Sequence, residues 1–225
     1  MLIAFGALQH ITAQDLSDQI DVFELKVSDN HSVFSPNWIS FDGKQGELII
    51  VTSENNESKK LPRKYKKNQP KAIFNLQSIK FSNTPPFEVL SKRLLSNQIN
   101  TIYQEGPSSY SSKNKVLYFT RSSKKITKDK RLHLNIFKSS LSDSKLSPPV
   151  KLTLGNVEDN VMHPSFDQEN NVLYFSSNQG ENEDYDIYYN TLDSIGNFST
   201  SRKLPNVNSA ANEAFPLQGH TVFCL

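Results

Sequence analysis

Tyr110 to Thr120 reads YSSKNKVLYFT, and Phe166 to Ser176 reads FDQENNVLYFS. The shared tetrapeptide VLYF recurs at a fixed offset of 56 residues, and the match extends outward, because Ser109 aligns with Ser165 at the same offset. A repeat of this length is typical of a propeller, a solenoid or a linear array of small structural units. The sequence therefore predicts a repeat architecture.

Short runs rich in β-branched and aromatic residues lie between clusters of Gly, Asn, Ser and Lys. They include ELIIVT at 47–52, VLYFT at 116–120, VLYFS at 172–176 and DIYYN at 186–190. Such runs are typical of strands separated by turns. Several are apolar at consecutive positions, which predicts strands covered on both faces, as in a sheet that lies between two others. A radial stack of small sheets has this property.

The same order of strands and turns recurs along the chain. It predicts repeats at approximately 34–91, 105–153 and 161–204, with the start of a fourth at 212, and four strands in each. The last strand of the second repeat is expected at Leu146 to Thr153. The predicted fold is thus all-β, a partial β-propeller of four-stranded blades with about three and a half repeats over residues 20–225.

A closed ring needs its last sheet to meet its first, and three and a half repeats leave open apolar faces and unpaired edges. We therefore expect the chain to be a fragment of a longer protein. The segment from Asp21 to Val27 is a candidate for the outer strand that would complete a final blade.

The N-terminus carries a candidate export signal. Met1 to Leu8 is a short apolar run, and Ala13 is a small residue at a suitable cleavage position before Gln14. Residues 1–13 are therefore interpreted as a signal peptide, the alternative being an apolar strand or tail of a cytosolic domain. No later segment approaches the ~18 apolar residues of a membrane helix, so the chain is not expected to span a membrane.

Several longer patterns carry a resemblance to a known family. They are EGPSSYSSKNKVLYFT at 105–120, HPSFDQENNVLYFSSN at 163–178, DYDIYY at 184–189 and NEAFP at 212–216. They resemble the WD-type repeats of TolB-like propellers, and their order is similar to the propeller region of OmpA-family, peptidoglycan-associated envelope proteins. The resemblance implies a propeller exported to the periplasm or outer membrane of a Gram-negative cell. The peptidoglycan-binding module of that family is not found within this sequence, so cell-wall anchoring is not inferred.

Two loops rich in Lys and Arg occupy the same slot of successive repeats, after the strands ELIIVT and VLYFT. Equivalent loops emerge on the same side of a propeller, so we expect one basic interaction surface, with solvated loops that bind nothing as the alternative. Its candidate residues are Lys59, Lys60, Arg63, Lys64, Lys66, Lys67, Arg121, Lys124, Lys125, Lys128, Lys130 and Arg131.

The net charge of +2 is too small to indicate a nucleic-acid partner, and Tyr65 is the only aromatic residue in the basic clusters, so a platform for base stacking is missing. The single cysteine, Cys224, excludes an intrachain disulfide and any CxxC motif. The acidic loop at 178–186 matches no calcium-loop pattern, and Asp186 is interpreted as a strand-entry residue.

The sequence has no GxSxG, HExxH, GxGxxG or P-loop motif, so no catalytic residue, cofactor or metal site is predicted and the chain is not expected to be an enzyme. His163 is interpreted as a turn residue. Glu105 and Glu213 either point toward a central channel or stabilise a turn, and the turn role is favoured.

Two functions agree with these observations. The first is a non-catalytic propeller in the periplasm or at the outer membrane that presents loops to an envelope protein or an anionic cell-wall polymer. The second is the propeller domain of a larger hydrolase, such as an oligopeptidase, with the catalytic elbow outside this sequence.

Overall fold

The computed structural model describes residues 2–5, 21–28, 30–54, 73–123, 132–180 and 184–217. Within these ranges the chain forms fifteen strands and no helix. Every pairing between the strands is antiparallel. The predicted all-β fold is therefore confirmed.

Three sheets follow one another along the chain, after a separate pair of short strands. The pair consists of β1 (Leu2–Phe5) and β2 (Asp21–Glu24). Sheet I consists of β3 (Val33–Phe41), β4 (Gln45–Thr52), β5 (Asn75–Ser82) and β6 (Val89–Leu94). Sheet II consists of β7 (Glu105–Ser111), β8 (Val116–Ser122), β9 (Leu134–Ser142), β10 (Lys145–Leu146) and β11 (Val150–Lys151). Sheet III consists of β12 (Val161–Asp167), β13 (Val172–Ser177), β14 (Asp186–Thr191) and β15 (Arg202–Lys203).

The outer position of sheet II is divided between two short strands, β10 and β11, which both pair with β9. The residues between them include Pro148 and Pro149, which have no N–H to donate to a neighbouring strand. The prediction of a single strand from Leu146 to Thr153 is therefore wrong, because the two prolines interrupt its hydrogen-bond ladder.

The first strands of the sheets lie side by side, with β7 between β3 and β12. In the described part of the chain, the strands of sheet I contact those of sheet II, but none contacts a strand of sheet III. The three sheets are thus arranged in sequence and do not close into a ring among these residues.

The middle strand β8 is buried on both faces. Leu117 and Phe119 belong to the core between sheets I and II, whereas Tyr118 belongs to the core between sheets II and III. All three side chains are at most 2% exposed. Because successive side chains of a strand point to opposite faces, this one strand contributes to both cores. The prediction that VLYF is covered on both faces is confirmed for this copy.

The second copy of VLYF, in β13, is fully buried on one face only. Leu173 and Phe175 are completely buried in the core shared with sheet II. Tyr174, on the other face, is half-buried beside a hollow of about 520 Å³ that Ile187 and Leu204 also line. No further sheet covers this face among the described residues, so the prediction of burial on both faces holds only in part here.

The opposite outer face, that of sheet I, is covered by residues that follow β2. Leu25 and Val27 are at most 5% exposed and pack in one cluster with Leu48 and Ile50 of β4. In the structure β2 pairs with β1. The interpretation of Asp21 to Val27 as the outer strand of a final blade stays a prediction.

Each first strand contains a β-bulge that ends in proline. The skipped residues are Ser35–Pro36 in β3, Gly106–Pro107 in β7 and His163–Pro164 in β12. A bulge leaves residues unpaired, so it accommodates a proline that cannot donate a ladder hydrogen bond. Ser35 and His163 have φ angles of 52° and 55°, in the left-handed region. His163 was predicted to lie in a turn, and in the structure it lies in a β-bulge within β12.

The segment that follows the last strand of each sheet, here called a link, carries a side-chain amide. The amide oxygen accepts a hydrogen bond from the backbone N–H at the entrance to the third strand of the preceding sheet. The pairs are Gln104 with Phe74 at 2.8 Å, Asn160 with Leu134 at 2.9 Å, and Asn212 with Tyr185 at 2.8 Å. The same contact therefore occurs three times at equivalent positions.

The links and the loops between second and third strands share one edge of the sheets, which we call the link edge. The tight turns that follow first and third strands share the opposite edge, the turn edge. This division follows from the antiparallel order, because alternate connections of a meander lie at opposite ends of its strands.

Hydrogen exchange tests the difference between the two VLYF copies. We expect the backbone amides of Leu117 to Phe119 to exchange at least about tenfold more slowly than those of Leu173 to Phe175, since β8 is covered by a sheet on each side. The measurement is residue-resolved exchange monitored by NMR at neutral pH. Equal protection of the two strands would show that β13 is covered as fully as β8.

Candidate functional site

The loops between second and third strands leave the sheets at equivalent places on the link edge. The last ladder pairs before them are Thr52 with Asn75, Ser122 with Leu134, and Ser177 with Asp186. The first two pairs flank the basic loops, and the third flanks the acidic loop. Sheets I and II pack face to face, and Val51 of β4 shares one core cluster with Leu117 and Phe119 of β8.

The basic loops themselves, residues 55–72 and 124–131, lie outside the described residues. Eleven of the twelve candidate interaction residues therefore have no described position. They are Lys59, Lys60, Arg63, Lys64, Lys66, Lys67, Lys124, Lys125, Lys128, Lys130 and Arg131.

The twelfth candidate, Arg121, is not part of an exposed loop. It lies in β8 directly opposite Glu105 of β7 and is 4% exposed. Its Nε donates a hydrogen bond to Glu105 Oε1 at 3.1 Å, within a buried ion pair. The assignment of Arg121 to the interaction loop is therefore wrong, because the β7–β8 ladder continues past Thr120 and brings the guanidinium inside.

The guanidinium of Arg121 joins sheet II to the preceding link. Its Nη2 donates hydrogen bonds to the carbonyl oxygens of Gln98 and Ile99 in the link between sheets I and II. The guanidinium carbon Cζ lies 5.0 Å from the ring centroid of Phe119 and 4.9 Å from that of Phe137, within cation–π range. Burial lowers the pKa of Arg121, and the neighbouring Glu105 carboxylate opposes that shift.

This ion pair is specific to sheet II. The cross-strand pairs at the equivalent places are Val33 with Thr52 in sheet I and Val161 with Ser177 in sheet III. Sequence reasoning missed the pair because the two residues are 16 positions apart. The available signal was the arginine that directly follows VLYFT where serine follows VLYFS.

The carboxylates of Glu105 and Glu213 both take part in the turns of their links. Thr101 Oγ1 donates to Glu105 at 2.7 Å, and Ser209 Oγ donates to Glu213 at 2.5 Å. The donor precedes its carboxylate by four residues in each case. These hydrogen bonds support the turn-stabilising role that was favoured over a channel-facing one.

The acidic loop of sheet III is described only at its ends, since residues 181–183 lie outside the described part. Asp186, the first residue of β14, forms an ion pair with Lys203 at 2.6 Å, in agreement with a strand-entry role. Asp184 lines a cavity of about 430 Å³ beside this pair. In the described residues no group of three or more His, Cys, Asp or Glu side chains is placed to hold a metal ion.

His163 contacts sheet II and the segment that follows sheet III. Its backbone N–H donates to Thr120 Oγ1 of sheet II at 3.0 Å, and its ring stacks on Phe215 with centroids 3.8 Å apart. Burial lowers the pKa of His163 to about 4, so the imidazole is neutral at pH 7. Its geometry is that of a packing residue.

Comparison of the chain with protein-family models and with curated proteins gives no match. The described residues include no helix of the length and apolarity that a bilayer crossing requires. The candidate site is thus defined by its own geometry, a link edge from which two basic loops and one acidic loop depart.

The buried ion pair predicts an asymmetric response to mutation. Replacing Arg121 by Met leaves the Glu105 carboxylate buried without its cation, and we expect a loss of about 3–5 kcal/mol in the free energy of unfolding. The double variant Glu105→Leu, Arg121→Met leaves neither charge and should recover most of this loss. Urea denaturation of the three proteins measures both values. A single variant as stable as the parent would contradict the burial of this pair.

The neutral His163 predicts a pH dependence of stability. Its pKa is about 4 in the folded chain and 6.5 when unperturbed, so its contribution is complete above pH 6.5 and is lost as the pH falls toward 4. At ~1.4 kcal/mol per pKa unit, the loss by pH 4 is on the order of 2–3 kcal/mol. Thermal melts between pH 7.5 and 4 should show a shallower decline for His163→Asn, which tolerates a positive φ. Parallel pH profiles would exclude His163 as the titrating group.

Proposed function

We propose that this chain is part of a β-propeller of four-stranded blades, and that it acts as a non-catalytic scaffold in the bacterial cell envelope. The blades correspond to sheets I, II and III. The proposed partner is an envelope protein or an anionic polymer of the periplasm or outer membrane, bound by the basic loops at the link edge.

The observation that carries the proposal is the threefold link contact. In each case a side-chain amide oxygen accepts a hydrogen bond from the backbone N–H at the entrance to the third strand of the preceding sheet. The amides are those of Gln104, Asn160 and Asn212. Gln104 and Asn160 directly precede the first strands of sheets II and III, so the recurring contact supports a similar step from one sheet to the next, as between the blades of a propeller. The side-by-side first strands agree with this arrangement.

The link edge is the favoured binding surface because of its charge pattern. Two loops rich in Lys and Arg follow the ladder ends at Thr52 and Ser122, in the adjacent sheets I and II. Beside them, the loop of sheet III begins at Ser177 and carries carboxylates. Loops held by a rigid scaffold commonly carry binding functions, and a concentrated cationic surface attracts anionic partners.

Charge reversal in one basic loop tests this function. We expect the triple variant Lys124→Glu, Lys125→Glu, Lys128→Glu to lose about tenfold in co-sedimentation with a Gram-negative envelope fraction, because like charges now face the anionic partner. The matched control reverses three exposed cations elsewhere, Lys44, Lys151 and Arg202, and should sediment like the parent chain. Unchanged sedimentation of the loop variant, with its melting temperature preserved, would reject the loops as the binding surface.

A further inference from the structure

A crevice of about 630 Å³ opens between sheets I and II. One wall belongs to sheet I and the other to sheet II, and the start of the link after Leu94 closes one end. Its volume is in the range of ligand-binding clefts. Both walls carry apolar side chains, Ile39 and Ile49 among them on sheet I, and the wall of sheet I carries charged side chains in addition.

The wall formed by sheet II is apolar. Leu117 of β8, Leu141 of β9 and Leu146 of β10 line it, together with the ring of Tyr110 from β7. Leu117 is 1% exposed, while the other three side chains are half-buried and open toward the crevice. Burial raises the pKa of the Tyr110 phenol, and the Glu47 carboxylate across the crevice adds to that effect. This wall therefore favours apolar side chains and a neutral hydroxyl.

The wall formed by sheet I carries exposed cations at a regular step. Lys80 of β5 is paired with Ser91, and Arg93, two residues further along β6, is paired with Ser78. Both line the crevice, as does Lys145 at the rim of sheet II. The carboxylate that lines this wall, Glu47, accepts a hydrogen bond from Ser78 Oγ. The lining thus carries three cations and one carboxylate, an excess of positive charge.

We propose that this crevice binds an extended acidic peptide segment of a partner protein, in which acidic and apolar residues alternate. In an extended chain, residues i and i+2 lie on the same side and about 7 Å apart. Arg93 lies two residues along β6 from Ser91, the partner of Lys80, so the two cations are offset along the strand direction by a similar distance. The intervening residues of the bound peptide would point to the opposite side, toward Leu141 and Leu146. The cations lie on both sheets, so a single compact anion does not contact all three.

The direct test uses a defined peptide and the full chain. The probe is a labelled, end-blocked peptide in which four glutamates alternate with leucine and valine, and its matched partner has the same composition with the glutamates in one block. We expect the alternating peptide to bind at least about tenfold more tightly by fluorescence anisotropy, since only it meets both walls at once. Equal affinity for the two peptides would overturn the proposal.

Charge reversal locates the binding. The double variant Lys80→Glu, Arg93→Glu should weaken the alternating peptide by about tenfold or more. Its matched control, Lys151→Glu with Arg202→Glu, reverses two exposed cations outside the crevice and should remain within about twofold of the parent chain. Equal loss in both double variants would assign the binding to net charge alone and overturn the site.

Two further readouts hold if the double variant fails to fold. Amide shifts in the parent chain on peptide addition should concentrate at β6, β9 and β10, and shifts centred elsewhere would contradict the assignment. Dodecanoate that binds the crevice in place of the peptide would show a site for an amphiphile and not for a peptide. Peptide binding in the crevice is proposed independently of the loop function. The Lys124→Glu, Lys125→Glu, Lys128→Glu variant is therefore expected to bind the peptide as tightly as the parent chain.

Discussion

The hydrogen bond that the backbone N–H at the entrance to a third strand donates to a link amide oxygen is the constraint on which the arrangement of the sheets depends. An N–H left without a partner inside a protein costs free energy comparable to a lost hydrogen bond. The N–H groups of Phe74, Leu134 and Tyr185 lie at the entrances to their strands, and the side-chain oxygens of Gln104, Asn160 and Asn212 accept their hydrogen bonds. Each of the first two amides directly precedes the next first strand, so the bond that completes one sheet also positions the following sheet.

Sheet II adds a second constraint at the same edge. Arg121 reaches beneath the link from Gln98 to Ile99 and is held between Glu105 and two aromatic rings. A buried ion pair gains little net stability, because desolvation of the two charges offsets their attraction. The pair instead restricts the geometry, because the guanidinium can donate all of its hydrogen bonds only where the link carbonyls and the carboxylate converge on it. The position of the first link is therefore fixed by polar contacts, whereas the sheet faces are held by apolar packing.

Strand content was predictable from the sequence because apolar, β-branched runs such as VLYF have a clear local signature. The divided outer strand was not predicted, although Pro148 and Pro149 carried the signal in their missing N–H groups. Arg121 was assigned to a loop because charge suggested exposure, and only the strand register shows that Glu105 lies opposite it. The link amides have no local signature, since an asparagine before a strand usually reads as an ordinary turn residue. Their partners are 26 residues or more away and become visible only in three dimensions.

The two prolines between β10 and β11 also affect how the protein meets other copies of itself. An uninterrupted outer strand offers a row of free N–H and C=O groups that can recruit a strand from another chain, which is a route to aggregation. Sheet II presents two strands of two residues each at that position. The outer strand of sheet I, β6, is longer but carries Lys92 and Arg93, whose charges repel an identical edge. The outer edges of sheets I and II thus resist self-association by different means, that of sheet II through broken pairing and that of sheet I through electrostatic repulsion.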